Sequence, residues 1–186
     1  RLSLVGSEMC IRDRYYPQYA RNMLQLNVGY SETENPIFSE IGYLAGIEAT
    51  DWSWSGLLAD LDNDGFRDFY IANGIFRRPN DLDYIKYISS SDIQNSLEQG
   101  INPENLKLIQ RMPKLKIPNA VFKNEGNLRF SDNSKAWGLG DDSYSNGATY
   151  SDLDNDGDLD LIVNNVNQPA YVYKNNSSSY GTQKHN

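Results

Sequence analysis

Two nine-residue stretches limit what this chain can fold into more sharply than any other feature. The first runs Asp60-Leu-Asp62-Asn-Asp64-Gly65-Phe66-Arg-Asp68 and the second Asp152-Leu-Asp154-Asn-Asp156-Gly157-Asp158-Leu-Asp160. Both read D-x-D-x-D-G-x-x-D, with acids at positions 1, 3, 5 and 9 and glycine at 6. Carboxylates this close cannot all stay ionised without a counter-charge, because at ~5 Å and an effective dielectric of ~20 each pair repels by roughly 3 kcal/mol. Either their pKa values rise or a cation sits among them. A hard divalent ion taking roughly six to eight oxygens, with glycine permitting the sharp turn, satisfies the pattern, and calcium fits best. The expectation is two calcium ions, one per loop.

Context decides which kind of loop this is. A helix–loop–helix calcium hand needs a bidentate Glu at position 12. Here that position is Ile71 in the first loop and Val163 in the second. Each loop is followed by a short apolar run (Phe69–Ala72, Leu161–Val163) and preceded by another (Trp54–Ala59, Gly147–Ser151). Short runs rich in β-branched and aromatic residues, bounded by turn residues, are strands. The spacing therefore predicts a strand-to-strand hairpin wrapped round an ion. The alternative, a solvated acidic turn without metal, would have to arise twice.

The text around the loops repeats at the same 92-residue interval. Phe38-Ser39-Glu40 answers Phe130-Ser131-Asp132, Ala45-Gly46-Ile47 answers Trp137-Gly138-Leu139, and Trp52-Ser53 answers Tyr144-Ser145. A third element, ending in Asn27, recurs as Val121-Phe-Lys-Asn124 and Val172-Tyr-Lys-Asn175. Repetition of short strands implies a propeller or solenoid. The parse is mainly β: a fragment of a β-propeller, about two blades of four-stranded antiparallel units. Two strands near 22–27 and 36–41 end one unit, and 54–59, 68–73, 120–124 and 128–132 make a whole one. Strands near 146–151, 160–165 and 170–174 begin the next. Nine strands are too few to close a ring of four-stranded blades, so a piece of a longer protein is expected.

A long insertion, about 75–119, separates two strands of the complete unit and has helical patterning. Ile85 and Ile88 lie at helical spacing, and Ser91-x-x-Gln94 reads as a capping box with Gly100 as a stop. Asn102-Pro103-Glu104 reads as a second start, with Leu106, Ile109 and Met112 as its apolar stripe. Lys107, Arg111, Lys114 and Lys116 make this region locally basic, which reads as a solvated helix face. Residues 1–14 have no repeat counterpart and resemble a translated sequencing-adaptor remnant, a non-native segment excluded from the fold reading. The partial propeller is expected over 15–175, and the polar tail 176–186 is expected to be disordered.

Charge follows the loops. The chain carries 25 acids against 17 bases, a net charge of −8. The two loops hold nine of those acids, which leaves 16 against 17 elsewhere, so the acidity is local. That excludes the broad basic surface nucleic acid requires. No run approaches the ~18 apolar residues of a membrane span. The 13 tyrosines and three tryptophans are assigned to sheet cores and blade interfaces, with Trp52 and Trp54 on one strand face. The single cysteine, Cys10, excludes a disulfide framework.

Taken together, the hairpins, the small-residue strand before each, the Asn after each and the F-S-E/F-S-D and V-F-K-N motifs resemble FG-GAP (VCBS-type) repeats. These are the calcium-binding blades of integrin-alpha-like propellers, and the pattern over 15–175 is similar to bacterial proteins related to cartilage acidic protein with ASPIC/UnbV domains. No ASPIC/UnbV segment is visible in this chain. The resemblance implies metal ligands at Asp60, Asp62, Asp64 and Asp68, and at Asp152, Asp154, Asp156 and Asp160. It implies main-chain carbonyl ligands from Phe66 and Asp158, and a guanidinium of Arg67 turned away from the ion. The function it implies is a non-enzymatic, calcium-stabilised module serving recognition or adhesion, with a protein or glycan ligand. Its setting would be extracellular, cell-surface or periplasmic, since such loops need free calcium well above cytosolic levels. The alternative is part of a secreted hydrolase. Against catalysis, the acids are interleaved at ligand spacing, and the chain has no plausible Ser/His/Asp or Cys/His set, since Cys10 and His185 lie in the two suspect ends.

Overall fold

The computed structural model describes residues 21–98 and 103–177. The segment 1–14, Gly100, Asn102 and the tail beyond Ser177 lie outside the described residues. Two compact units are present, one containing Ile75–Leu115 and the other containing Arg21–Gly74 and the chain from Lys116 onward. The fold is mainly β, in antiparallel sheets that do not close on themselves, with a helical insertion: a partial β-propeller.

The β unit is built from the alternation its sequence shows. Strands β1 (Gln25–Tyr30) and β2 (Pro36–Glu40) pair with each other. A short helix α1 (Gly42–Ala45) follows. Strands β3 (Ser53–Ala59), β4 (Asp68–Asn73), β6 (Ala120–Asn124) and β7 (Phe130–Asp132) form one four-stranded sheet in that order. Strands β9 (Ser145–Ser151), β10 (Asp160–Asn165) and β11 (Tyr171–Tyr173) form the next. Between them, β5 (Ile117–Pro118) pairs with β8 (Asp142–Ser143), a two-residue contact that no periodicity announces. The first loop leaves its sheet at the pair Ala59↔Asp68 and the second at Ser151↔Asp160. The two hairpins thus start in the same register.

Two details differ from the sequence reading. Strand β1 continues past Asn27 to Tyr30, because a register shift between Asn27 and Gly29 lets the pairing resume. The Asn27 side chain accepts from the Gly29 N–H at 2.8 Å, which stabilises that irregularity. Trp52 and Trp54 do meet, with ring centroids 6.3 Å apart. Trp54 remains half-exposed, however, and its indole N–H donates to the Gly74 carbonyl at 2.6 Å rather than entering a core.

Packing between the sheets uses opposite faces of equivalent strands. Tyr70 and Ala72 of β4 join Val121 in one cluster with Leu161 and Val163 of β10. The other face of β4 sends Ile71 to Ala45, Ile47 and Phe122. Period-2 alternation supplies both clusters from one strand. Fully burying side chains of this size contributes about 1.5–3 kcal/mol each. At the end of β4, Gly74 (φ 135°) lies so close to the Tyr144 backbone that an added Cβ would stand 2.9 Å from its Cα. A polar seam runs alongside. Asn119 Oδ1 accepts from the Asn73 N–H, its Nδ2 donates to Ser145 Oγ, and Ser145 Oγ donates to Asn165 Oδ1. Every one of these side chains is buried, so the bonds satisfy groups that water cannot reach.

The insertion folds on its own terms. Helix α2 (Leu82–Ile88) is capped by Asp81, whose carboxylate accepts from the Tyr84 N–H at 2.9 Å. Helix α3 (Ser91–Glu98) contains Ser91 as its first residue, so Ser91 does not cap it. Gln94 is drawn elsewhere and donates to the Ile88 carbonyl at 2.7 Å. Helix α4 (Pro103–Arg111) begins at Pro103, and the Leu108 carbonyl within it accepts from the Tyr84 hydroxyl. The basic residues lie over rings in their own unit: Arg111 over Tyr87 and Lys114 over Phe76, while in the β unit Lys116 lies over Tyr144. No described helix is long and apolar enough to cross a membrane.

The glycine geometry is testable. Gly74→Ala meets both a left-handed backbone and an immovable neighbour, whereas Gly126→Ala (φ 74°) meets open space. Gly126→Ala should cost about 1–2 kcal/mol of backbone strain, and Gly74→Ala clearly more, read as urea midpoints of the two variants.

Candidate metal centres

Each acidic loop is shaped by its own carboxylates before any ion is considered. Asn63 and Asn155 take left-handed backbone angles (φ 59° and 62°), and Gly65 and Gly157 both sit at φ 91°. Asn tolerates that region and Gly occupies it freely, which is why these types stand at positions 4 and 6. Asp60 accepts from the N–H groups of Asp64 (3.1 Å) and Gly65 (2.9 Å), and Asp64 accepts from Phe66 (2.9 Å). Asp152 accepts from Asp156 (3.1 Å) and Gly157 (3.0 Å), and Asp156 from Asp158 (3.0 Å). The second loop repeats these three bonds of the first at the same positions.

The consequence is convergence at positions 1, 3 and 5. Carboxylate oxygens of Asp60, Asp62 and Asp64 all lie within 4.8 Å of one another, and so do those of Asp152, Asp154 and Asp156. Either group could hold a metal ion, and an all-oxygen donor set suits a hard cation. Asp68 and Asp160 belong to neither triad. Both are buried, and each accepts two backbone N–H bonds: Asp68 from Leu61 (3.0 Å) and Asn124 (2.9 Å), Asp160 from Leu153 (2.9 Å) and Asn175 (2.8 Å). Position 9 therefore clamps the loop to the third strand of its sheet. At position 7, the Phe66 side chain is exposed while that of Asp158 is buried and accepts from Asn63 Nδ2 at 2.6 Å. Arg67 is exposed, and its carbonyl accepts from Asn124 Nδ2 at 3.0 Å.

Two residues with no assigned role in the sequence reading enter both triads. Lys123 donates to Asp62 and to Asp64 (2.7 Å). Lys174 donates to Asp154 and lies 3.4 Å from Asp156. Both stand one residue before the Asn that ends the third-strand motif, and that recurrence was the available signal. Burial works against the charged form of Asp64, but the hydrogen bond from Lys123 and the N–H of Phe66 prevail and hold it below the ordinary carboxylate range. The hydrogen bond from Lys174 does the same for Asp154. Asp68 goes the other way. Burial dominates, outweighing the two N–H bonds, and nearby Asp62 and Asp64 add to it, so that its pKa is pushed up to about 6.

No family model matches the chain, and no curated protein matches it.

Two outcomes follow in calcium-free protein. Lys123 sits less exposed than Lys174, at 26% against 55% of its side chain, so solvent screens its pairs less. Lys123→Met should lower the thermal midpoint more than Lys174→Met. For Asp68, the folded carboxyl keeps its proton between its unfolded value of 3.8 and about 6, so the folded state binds more protons across that window. Its contribution is fully present below the lower value and is lost as pH rises through 6. Urea midpoints measured from pH 4 to 7 should show that loss in the wild type, and a flatter profile in Asp68→Asn.

Proposed function

We propose that this chain is a calcium-binding segment of a β-propeller of the FG-GAP/VCBS type, acting as a non-enzymatic recognition or adhesion module of an exported protein. The observation that carries the reading is the paired triad, Asp60, Asp62 and Asp64 with Asp152, Asp154 and Asp156, at identical loop positions in two successive sheets. Asp68 and Asp160, and the main-chain carbonyls of Phe66 and Asp158, complete the ligand set that the resemblance to FG-GAP repeats implies. An ion in each loop would offset repulsion among the acids and tie its binding free energy to the folded hairpin.

A metal-free reading has one observation in its favour, since Lys123 and Lys174 already bring a positive charge to each triad. Charge counting weighs against it. One ammonium among four acids in the first loop leaves a surplus of negative charge, most of which a divalent cation would offset. Exported surroundings fit the reading, because millimolar calcium is found there. The partner remains in the class of protein or glycan ligands, as propeller surfaces present loops to such ligands.

Calcium titration decides between the readings. At ~100 times the dissociation constant, a bound ion adds about 2.7 kcal/mol per site, which for a chain of this size raises the melting temperature by roughly 5–10 °C. Chelator should reverse the shift, and Asp62→Asn/Asp64→Asn should remove the first loop's share. A midpoint indifferent to calcium would leave the lysine-neutralised reading standing.

A further inference from the structure

The two repeats bond to each other through side chains that cross the boundary between sheets. Asn63, at position 4 of the first loop, donates to the buried Asp158 carboxylate of the second at 2.6 Å and to Ser177 Oγ at 2.9 Å. In the opposite direction, Asn175 donates through Nδ2 to the Leu61 carbonyl in the first loop at 2.7 Å and to the Leu159 carbonyl in the second at 3.2 Å. The backbone N–H of that same Asn175 holds Asp160, and the N–H of Leu61 holds Asp68. An unbroken hydrogen-bonded path therefore links the two position-9 carboxylates: Asp68 to Leu61, Leu61 to Asn175, and Asn175 to Asp160.

We infer that the two loops take up calcium as one coupled pair, with Asn63 and Asn175 as the residues that transmit the coupling. The inference rests on the calcium reading above and concerns the regulation of those sites. Filling one loop fixes its backbone. The same loop supplies the Leu61 carbonyl to Asn175, which holds Asp160, and the Asn63 side-chain amide to Asp158, so the second ion meets a loop already ordered. Cooperativity of this kind needs no change of shape, only that one event remove disorder the other would have had to remove. The bridge also explains the difference at position 7. Asp158 has the first loop's Asn63 to receive, whereas Phe66 at the same position is exposed.

Linkage makes the coupling reciprocal, which gives the test its form. Calcium binding to the full 186-residue chain is measured by calorimetry for the wild type, for Asp154→Asn/Asp156→Asn and for Asp62→Asn/Asp64→Asn. Disabling either loop should weaken the other by about fivefold or more, and by the same factor in both directions. In Asn63→Gly/Asn175→Ala, where glycine keeps the left-handed backbone and loses the amide, that factor should fall toward one. Asp158→Ala/Asn175→Ala cuts the same two bonds, the first from the far side, and should reproduce the loss, which keeps the test decisive if the first double variant folds poorly. A loop that keeps its affinity when its neighbour is disabled overturns the coupling. A factor that persists in folded Asn63→Gly/Asn175→Ala or in Asp158→Ala/Asn175→Ala overturns the bridge. A wild type that binds no calcium overturns the calcium reading itself, and with it this inference, by a result distinct from the other two.

Discussion

The structure depends on one kind of bond made twice: a fully buried aspartate accepting two backbone N–H groups from two different strand ends. Asp68 gathers Leu61 and Asn124, and Asp160 gathers Leu153 and Asn175. Only a carboxylate offers two oxygens that both accept, so asparagine could satisfy one donor and would confront the other with its own N–H. Through this bond the loop is closed and the third strand is fixed against the hairpin in a single step. The desolvation it imposes is visible in the raised pKa of Asp68. The repeat therefore places a costly charge where two elements must be joined, and its neighbours Asp62 and Asp64 make that cost larger.

Much of this was legible before any coordinates. Short apolar runs between turn signals located the strands around both loops to within a residue or two, and the 92-residue repeat placed the hairpins in one register. The elements that escaped share a physical reason. The pairing of Ile117–Pro118 with Asp142–Ser143 is too short to carry a period. The continuation of the first strand past Asn27 depends on a bulge, which tertiary pairing decides and composition does not. Ser91 was expected to cap a helix it in fact enters, because the Ser90-Ser91 pair offers two starts one residue apart and local preference cannot choose between them.

At the site, spacing identified the acids and their convergence but was silent about what divides them by task. Positions 1, 3 and 5 converge because turn geometry brings odd-numbered residues of a tight loop to one side. Position 9 lies on the first residue of the outgoing strand, where the sheet claims it. Nothing local distinguishes these aspartates. The lysines were equally hidden, since Lys123 reaches the first loop across 59 to 61 residues. Only their recurrence at one place in the V-F-K-N and V-Y-K-N motifs could have drawn attention to them.

The lysines also bear on why a repeat of this kind combines an internal cation with a metal-binding pattern. A loop holding four acids needs some counter-charge whenever no ion is bound. The ammonium of Lys123, bridging Asp62 and Asp64, relieves repulsion between them in the folded, metal-free loop. It does so incompletely, because a single charge cannot balance four. A divalent ion offers twice that charge and accepts more oxygens than an ammonium has protons to give. A metal held by a triad would compete with the lysine for the same carboxylates. The less exposed Lys123 holds its triad more firmly than Lys174 does, so the second loop presents the acids that are easier to claim. If the loops are coupled through Asn63 and Asn175, filling the second loop first would order the backbone of the first and help displace its lysine. The asymmetry between the two repeats would then set the order in which they fill.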